Sequence, residues 1–136
     1  MLVVDGRVVR GRIDAVYLRD GRLDLVDFKT GRRPAAGDPA AWAQLDLYAL
    51  AAVETWGADP DTLRTTYCYL RADGSAEIES RDWTAAGVEA VRARLGQALA
   101  AVAASHYPAN AGAWCERCEF LAFCPDGQAA TAPPPA

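Results

Sequence analysis

Asp27 and Lys29 stand two positions apart in the segment Asp-Leu-Val-Asp-Phe-Lys-Thr-Gly, and Lys29 is the only lysine among 14 Lys and Arg residues. Lysine carries a compact point charge where arginine carries a planar fork, so a lone lysine among arginines marks a position where an ammonium serves a purpose. A second carboxylate, Asp14, joins the pair through hairpin arithmetic. Residues 8–18 alternate apolar and polar, Arg19-Asp20-Gly21-Arg22 is a turn signal, and residues 23–29 alternate again, which predicts a β-hairpin. With Asp20 and Gly21 in the loop, Leu18 faces Leu23, Val16 faces Leu25 and Asp14 faces Asp27. Carboxylates opposed at about 4.5–5.5 Å repel one another unless something offsets them. Lys29, two residues beyond Asp27, projects from the same face.

A divalent cation is the natural counterweight. The face that carries Asp14 and Asp27 also carries Val16, Leu18, Leu23 and Leu25, an apolar stripe beside which uncompensated charge is costly. Hard carboxylate oxygens suit Mg²⁺ or Mn²⁺, which take one or two protein carboxylates and leave room for water and a substrate phosphate. Such a cation polarises phosphate and acidifies water, while a lysine orients the nucleophile or stabilises developing negative charge. This is a layout for phosphodiester hydrolysis. The competing reading is a solvated face on which the acids pair with Arg10 or Arg12 and do nothing further.

The elements that position these groups follow from the sequence. Asp38 is a helix cap, Pro39 fits a first turn, and the apolar-rich run 39–56 ends before Gly57, a stop signal. Gln44 and Tyr48 are four apart and share one face of that helix. A strand is predicted over 62–70, a turn at Arg71-Ala72-Asp73-Gly74, and a strand over 75–80. Asp82 is the candidate cap of a second helix, in which Val88, Val91, Leu95, Leu99 and Val102 recur at helical spacing as a core stripe. Tyr107-Pro108 ends it.

Gly11-Arg12-Ile13-Asp14-Ala15-Val16, Asp27-Phe28-Lys29-Thr30-Gly31 and Gln44-Leu45-Asp46-Leu47-Tyr48, in that order, resemble the PD-(D/E)XK nuclease superfamily, in particular its RecB-like branch, which includes the nuclease domains of RecB, AddB and the AdnA/AdnB helicase-nucleases. The resemblance implies an α/β fold with a restriction-endonuclease-like core: a mixed central sheet flanked by helices, followed by a C-terminal cysteine-rich loop. It implies that Asp14, Asp27 and the Phe28 backbone carbonyl bind Mg²⁺ or Mn²⁺, that Lys29 is the catalytic lysine, and that Gln44 and Tyr48 handle DNA. The implied activity is that of a metal-dependent deoxyribonuclease, an exonuclease of DNA repair and recombination, with a helicase domain or subunit as partner. The alternative is a non-catalytic DNA- or partner-binding module of nuclease fold.

Cys115-x-x-Cys118 followed by Cys124 places three soft ligands close together. The chain shows no signal peptide and has only 4 cysteines, so thiolates in a reducing, cytoplasmic setting are expected rather than a disulfide scaffold. Spacing alone does not separate zinc from an iron–sulfur cluster. The resemblance favours a 4Fe-4S cluster, in which a cysteine far upstream completes the set; Cys68 lies in a predicted strand and reads as a structural residue, and His106 as a residue at a helix end. The family's upstream cysteine and leading helix have no counterpart here, and the opening Met-Leu-Val-Val-Asp-Gly-Arg reads as a strand and turn, as in a piece of a longer nuclease.

Length and composition fit one nuclease domain over 1–128, its cysteine segment at 107–125, and a flexible or extended Pro/Ala-rich tail over 129–136. Hydrophobic residues at 51% and charged residues at 24% are ordinary for a globular protein. A net charge of −4 argues against strong autonomous DNA binding. It is compatible with a site that a helicase or partner subunit feeds, since a bound cation supplies local positive charge.

Overall fold

Two hairpins, each turned by an Asp-Gly pair, begin the chain. The computed structural model describes residues 1–31, 33–34 and 41–132. Strand β1 (Leu2–Val4) pairs with β2 (Arg7–Val9) across Asp5 and Gly6, and β3 (Ala15–Arg19) pairs with β4 (Arg22–Lys29) across Asp20 and Gly21. Both turns hold two consecutive positive φ angles, 49° and 73° in the first and 50° and 75° in the second. That is the demand of a two-residue hairpin loop, and Asp-Gly meets it at little steric cost. The expected hairpin register holds, with Val16 opposite Leu25 and Leu18 opposite Leu23. Residues 8–18 are not one strand, however: the chain leaves β2 after Val9 and enters β3 only at Ala15.

After β4 the described chain resumes in helix α1 (Ala43–Trp56), then a 3-10 turn (Pro60–Thr62) and strand β5 (Leu63–Leu70). Strand β5 lies parallel to β4, which a helical crossover between them permits and a tight hairpin does not. Strand β6 (Ala76–Asp82) returns antiparallel to β5, so the mixed sheet has the order β3-β4-β5-β6. Gly57, at φ 66°, ends α1 in the left-handed conformation that glycine adopts without a Cβ penalty. The predicted cap at Asp38 and first turn at Pro39 lie outside the described residues.

The core forms where α1 covers β4 and β5: Leu25, Leu45, Leu50 and Leu63 are fully buried, with Tyr48, Trp83, Val88 and Val91 around them. Helix α2 (Ala85–Ala103) contributes Val88 and Val91 fully and Leu95 and Leu99 partly, whereas Val102 is exposed. Asp46 on α1 is buried and ties the layers together, accepting from Arg81 of β6 at 2.9 Å and Arg94 of α2 at 2.7 Å.

Two expectations change. The apolar stripe is covered on β4 but not on β3: Leu25 is 0% exposed, Val16 47% and Leu18 74%, because β3 is an edge strand. Asp82 does not cap α2; it ends β6 and pairs with Arg22 and Arg64, while Thr84 Oγ1 accepts from the Gly87 N–H at 3.2 Å.

Contacts divide the chain into two compact units, Met1–Leu99 and Ala100–Ala136. The second unit consists of the last turn of α2, 3-10 turns at Ala113–Arg117 and Leu121–Phe123, and a short helix α3 (Pro125–Thr131). Helix α3 occupies residues 129–131, where an extended tail was expected, and residues 133–136 lie outside the described ones. Among the described residues no helix is long and apolar enough to cross a membrane.

Candidate active site

Asp27 is the centre of a polar cluster set into the apolar layer between the sheet and α1. Its place on β4, two residues after Leu25, turns it toward α1, and it is only 2% exposed. A carboxylate this deeply buried needs partners. Oδ1 accepts from Gln44 Nε2 at 2.6 Å and is contacted by the Tyr48 hydroxyl at 3.1 Å. The helical spacing of Gln44 and Tyr48 brings both onto this one oxygen, and Gln44 Nε2 also donates to the Tyr48 hydroxyl oxygen at 2.7 Å. The hydroxyl has one proton to give, and the Arg12 carbonyl at 2.5 Å competes with Asp27 for it.

Asp27 Oδ2 is different. It faces the Lys29 ammonium at 2.6 Å as an ion pair, yet it is buried with no partner in hydrogen-bonding geometry. Lys29 therefore supplies charge but not a well-aligned donor. Lys29 Nζ spends a proton on Gln44 Oε1 at 2.6 Å instead, and sits 5.2 Å from the centre of the Tyr67 ring. Gln44 is thus a bridge, donating to the acid through its nitrogen and accepting from the lysine through its oxygen.

Asp14 follows the edge of the same hairpin. It lies one position before the β3 ladder, is exposed, and accepts from the Phe28 N–H at 3.0 Å. Its charge and that of Asp27 both act on Tyr48, whose hydroxyl is held above its ordinary pKa chiefly by burial. The structure therefore brings Asp14, Asp27, Phe28, Lys29, Gln44 and Tyr48 into one neighbourhood. Two carboxylates, one with a buried oxygen lacking an aligned donor, are a donor set that fits a hard divalent cation.

Sequence reasoning missed Tyr67. The parallel pairing sets it beside Asp27, and its ring forms the floor beneath Lys29, a contact worth about 0.5–2 kcal/mol for a cation over an aromatic face. Burial first, then the charge of Asp27, push the Tyr67 hydroxyl up to about 12. Below an ordinary value of 10.0 the phenol is neutral in folded and unfolded chains alike, so its contribution is then complete. Between the two values only the unfolded chain loses its proton, so stability falls as pH rises through that window, by about 2–3 kcal/mol. Denaturant titrations at pH 9 and pH 12 measure the loss, and Tyr67→Phe reduces it.

The cysteines lie in the second unit. Cys115 is buried and accepts from the Gly112 N–H at 3.4 Å; Cys124 accepts from the Gly127 N–H at 3.3 Å, capping α3; Cys118 is exposed. Among the described residues no group of three or more His, Cys, Asp or Glu side chains is placed to hold a metal ion. The expected 4Fe-4S cluster, or zinc in its place, is therefore not supported by the arrangement of Cys115, Cys118 and Cys124. Cys68 is buried in β5, and His106 is exposed just beyond α2.

A mixed four-stranded sheet with helices against it is the architecture of a restriction-endonuclease-like core, and comparison of the sequence with known families agrees. The PD-(D/E)XK nuclease superfamily matches over residues 2–125, and the chain belongs to that superfamily. It is similar to the Gene 69 protein of Mycobacterium phage D29, with 35% identity over 126 residues, covering 90% of this chain and 44% of the phage protein. The Gene 69 protein of Mycobacterium phage L5 is 36% identical over 85 residues, covering 60% of this chain and 28% of that protein. The chain thus spans less than half the length of the curated relatives it matches. No solved structure matches it significantly.

Proposed function

We propose that this chain carries the catalytic centre of a metal-dependent deoxyribonuclease of RecB-like type, acting on DNA ends alongside a helicase domain or subunit. The observation that carries the reading is Asp27 Oδ2, a buried carboxylate oxygen with an ammonium beside it but no aligned hydrogen-bond donor. Asp27 and Asp14, with the Phe28 carbonyl, would hold Mg²⁺ or Mn²⁺, and the cation supplies Lewis-acid polarisation of the scissile phosphate.

The protein groups do the rest. Lys29 places its positive charge where negative charge develops during attack on phosphorus, and Asp27 and Gln44 on either side fix its position. Gln44 and Tyr48, on consecutive turns of α1, keep the acid oriented and present polar atoms to a DNA strand. Burial of the cluster against α1 lowers the local dielectric, which strengthens each of these interactions.

The single lysine makes a direct test possible. In protein labelled with ¹⁵N only at lysine, Lys29 gives one backbone amide resonance. Substoichiometric Mn²⁺ is expected to broaden it beyond detection in the wild-type protein and to leave it sharp in Asp27→Ala. Equal broadening in both would remove Asp27 from the metal site.

A further inference from the structure

A cleft of about 730 Å³ opens beside the polar cluster, between α1 and residues 9–13. Its walls are largely apolar, formed by Val9, Ile13, Leu47 and Ala51, with Trp56 at one end and 54% exposed. Gln44 and Tyr48 line it too, so the cleft is continuous with the candidate active site. Arg10 and Arg12, both exposed, stand on its rim. Its volume lies within the roughly 300–1,000 Å³ typical of sites for small organic ligands.

An apolar slot with a tryptophan at one end, the Gln44 and Tyr48 side chains that hold Asp27 at the other, and two guanidinium groups on its edge, matches the parts of a nucleotide. A base is an apolar, stackable plate, and its phosphate is an anion. We infer that the cleft takes an unpaired nucleobase of the substrate strand, with Arg10 and Arg12 against the backbone phosphates and the strand running on from that base along α1 to the phosphodiester at Asp27 and Lys29, some nucleotides away, since α1 rises about 18 Å between Gln44 and Trp56. This rests on the nuclease reading above and deepens it, because a base stacked and paired in a duplex cannot enter such a slot. The substrate is then single-stranded DNA or a frayed end. Stacking against an aromatic side chain tolerates any base, so the cleft grips without reading sequence.

The test measures binding apart from cleavage. The protein in EDTA is titrated with fluorescent single-stranded oligonucleotides in which one abasic residue is walked along the strand, and with the same sequence as a duplex. One abasic position is expected to weaken binding about 10-fold, the scale of a lost base–aromatic stack, and the duplex to bind more weakly still. Ala51→Trp, which fills the cleft, and Trp56→Ala, which removes its exposed wall, are expected to lower affinity for the intact strand and erase the abasic difference. Circular dichroism confirms that each variant is folded.

If intact and abasic strands bind alike, or no strand binds, or both variants bind as wild type, the cleft is not a base site. Another occupant, such as an apolar segment of a partner protein, would give that result. Base-dependent binding together with a failure to cleave in Mn²⁺ would sink the nuclease reading while leaving the cleft assignment standing.

Discussion

Replacing Lys29 with arginine is expected to reduce Mn²⁺-dependent cleavage by about 10²–10³-fold, the scale on which removal of one preorganised electrostatic stabiliser acts, while the protein remains folded. The charge is unchanged, so the loss would come from shape. The ammonium fits a space bounded by Asp27 Oδ2 at 2.6 Å, Gln44 Oε1 at 2.6 Å and the Tyr67 ring. A guanidinium is planar and longer-reaching; to enter, it must displace Gln44 or move its charge outward past the acid. Either way the positive charge leaves the point where the reaction needs it. Folding should suffer little, since the Lys29 side chain is 35% exposed and an arginine can extend into solvent. Cleavage rates and thermal unfolding of the two proteins, measured together, separate the effects; equal activity would end the argument from the single lysine.

Asp27 is the second position with a large expected effect, and two substitutions there are expected to part company. Asp27→Asn keeps an acceptor oxygen for Gln44 and Tyr48, so the buried cluster stays largely satisfied. Asp27→Ala takes from Gln44 Nε2 its carboxylate acceptor and from Lys29 its counter-charge, in a cluster largely buried against α1. That costs stability on the order of 1–3 kcal/mol. Both variants remove the anionic oxygen that a divalent cation requires, and both are expected to lose cleavage by about 10³-fold or more, since Lewis-acid stabilisation is worth several kcal/mol. Loss of activity without loss of stability in Asp27→Asn would show that the acid serves chemistry rather than folding.

What was legible in the sequence was local. Asp20-Gly21 dictates a two-residue turn, the turn dictates the register, and the register brings Asp14, one position before β3, to the Phe28 N–H. The four-residue spacing of Gln44 and Tyr48 likewise puts both on the face of α1 that meets Asp27. Pairings made across long stretches of chain were not legible. Nothing near Tyr67 announces that β5 will lie parallel to β4 with Tyr67 beside Asp27, because that register is set by how α1 crosses over.

Strand ends depart from the sequence pattern for physical reasons. Residues 8–18 carry an alternating pattern, but Arg10-Gly11-Arg12 gives the chain no buried side chain with which to hold a strand, and it breaks into two hairpins there. Val16 and Leu18 alternate as an inward face does, yet an edge strand beyond the reach of α1 leaves them exposed. Asp82 has the side chain of a cap, but two arginines in reach, Arg22 and Arg64, hold it at the end of β6 instead.

The most direct measurement is Mn²⁺-dependent cleavage of end-labelled linear DNA, single- and double-stranded, by the protein and its Asp27→Ala variant side by side, each with and without EDTA. The account predicts cleavage by the wild-type protein that EDTA abolishes and that Asp27→Ala lacks. Undiminished cleavage by the folded variant would contradict it, as would a wild-type protein that leaves every strand intact.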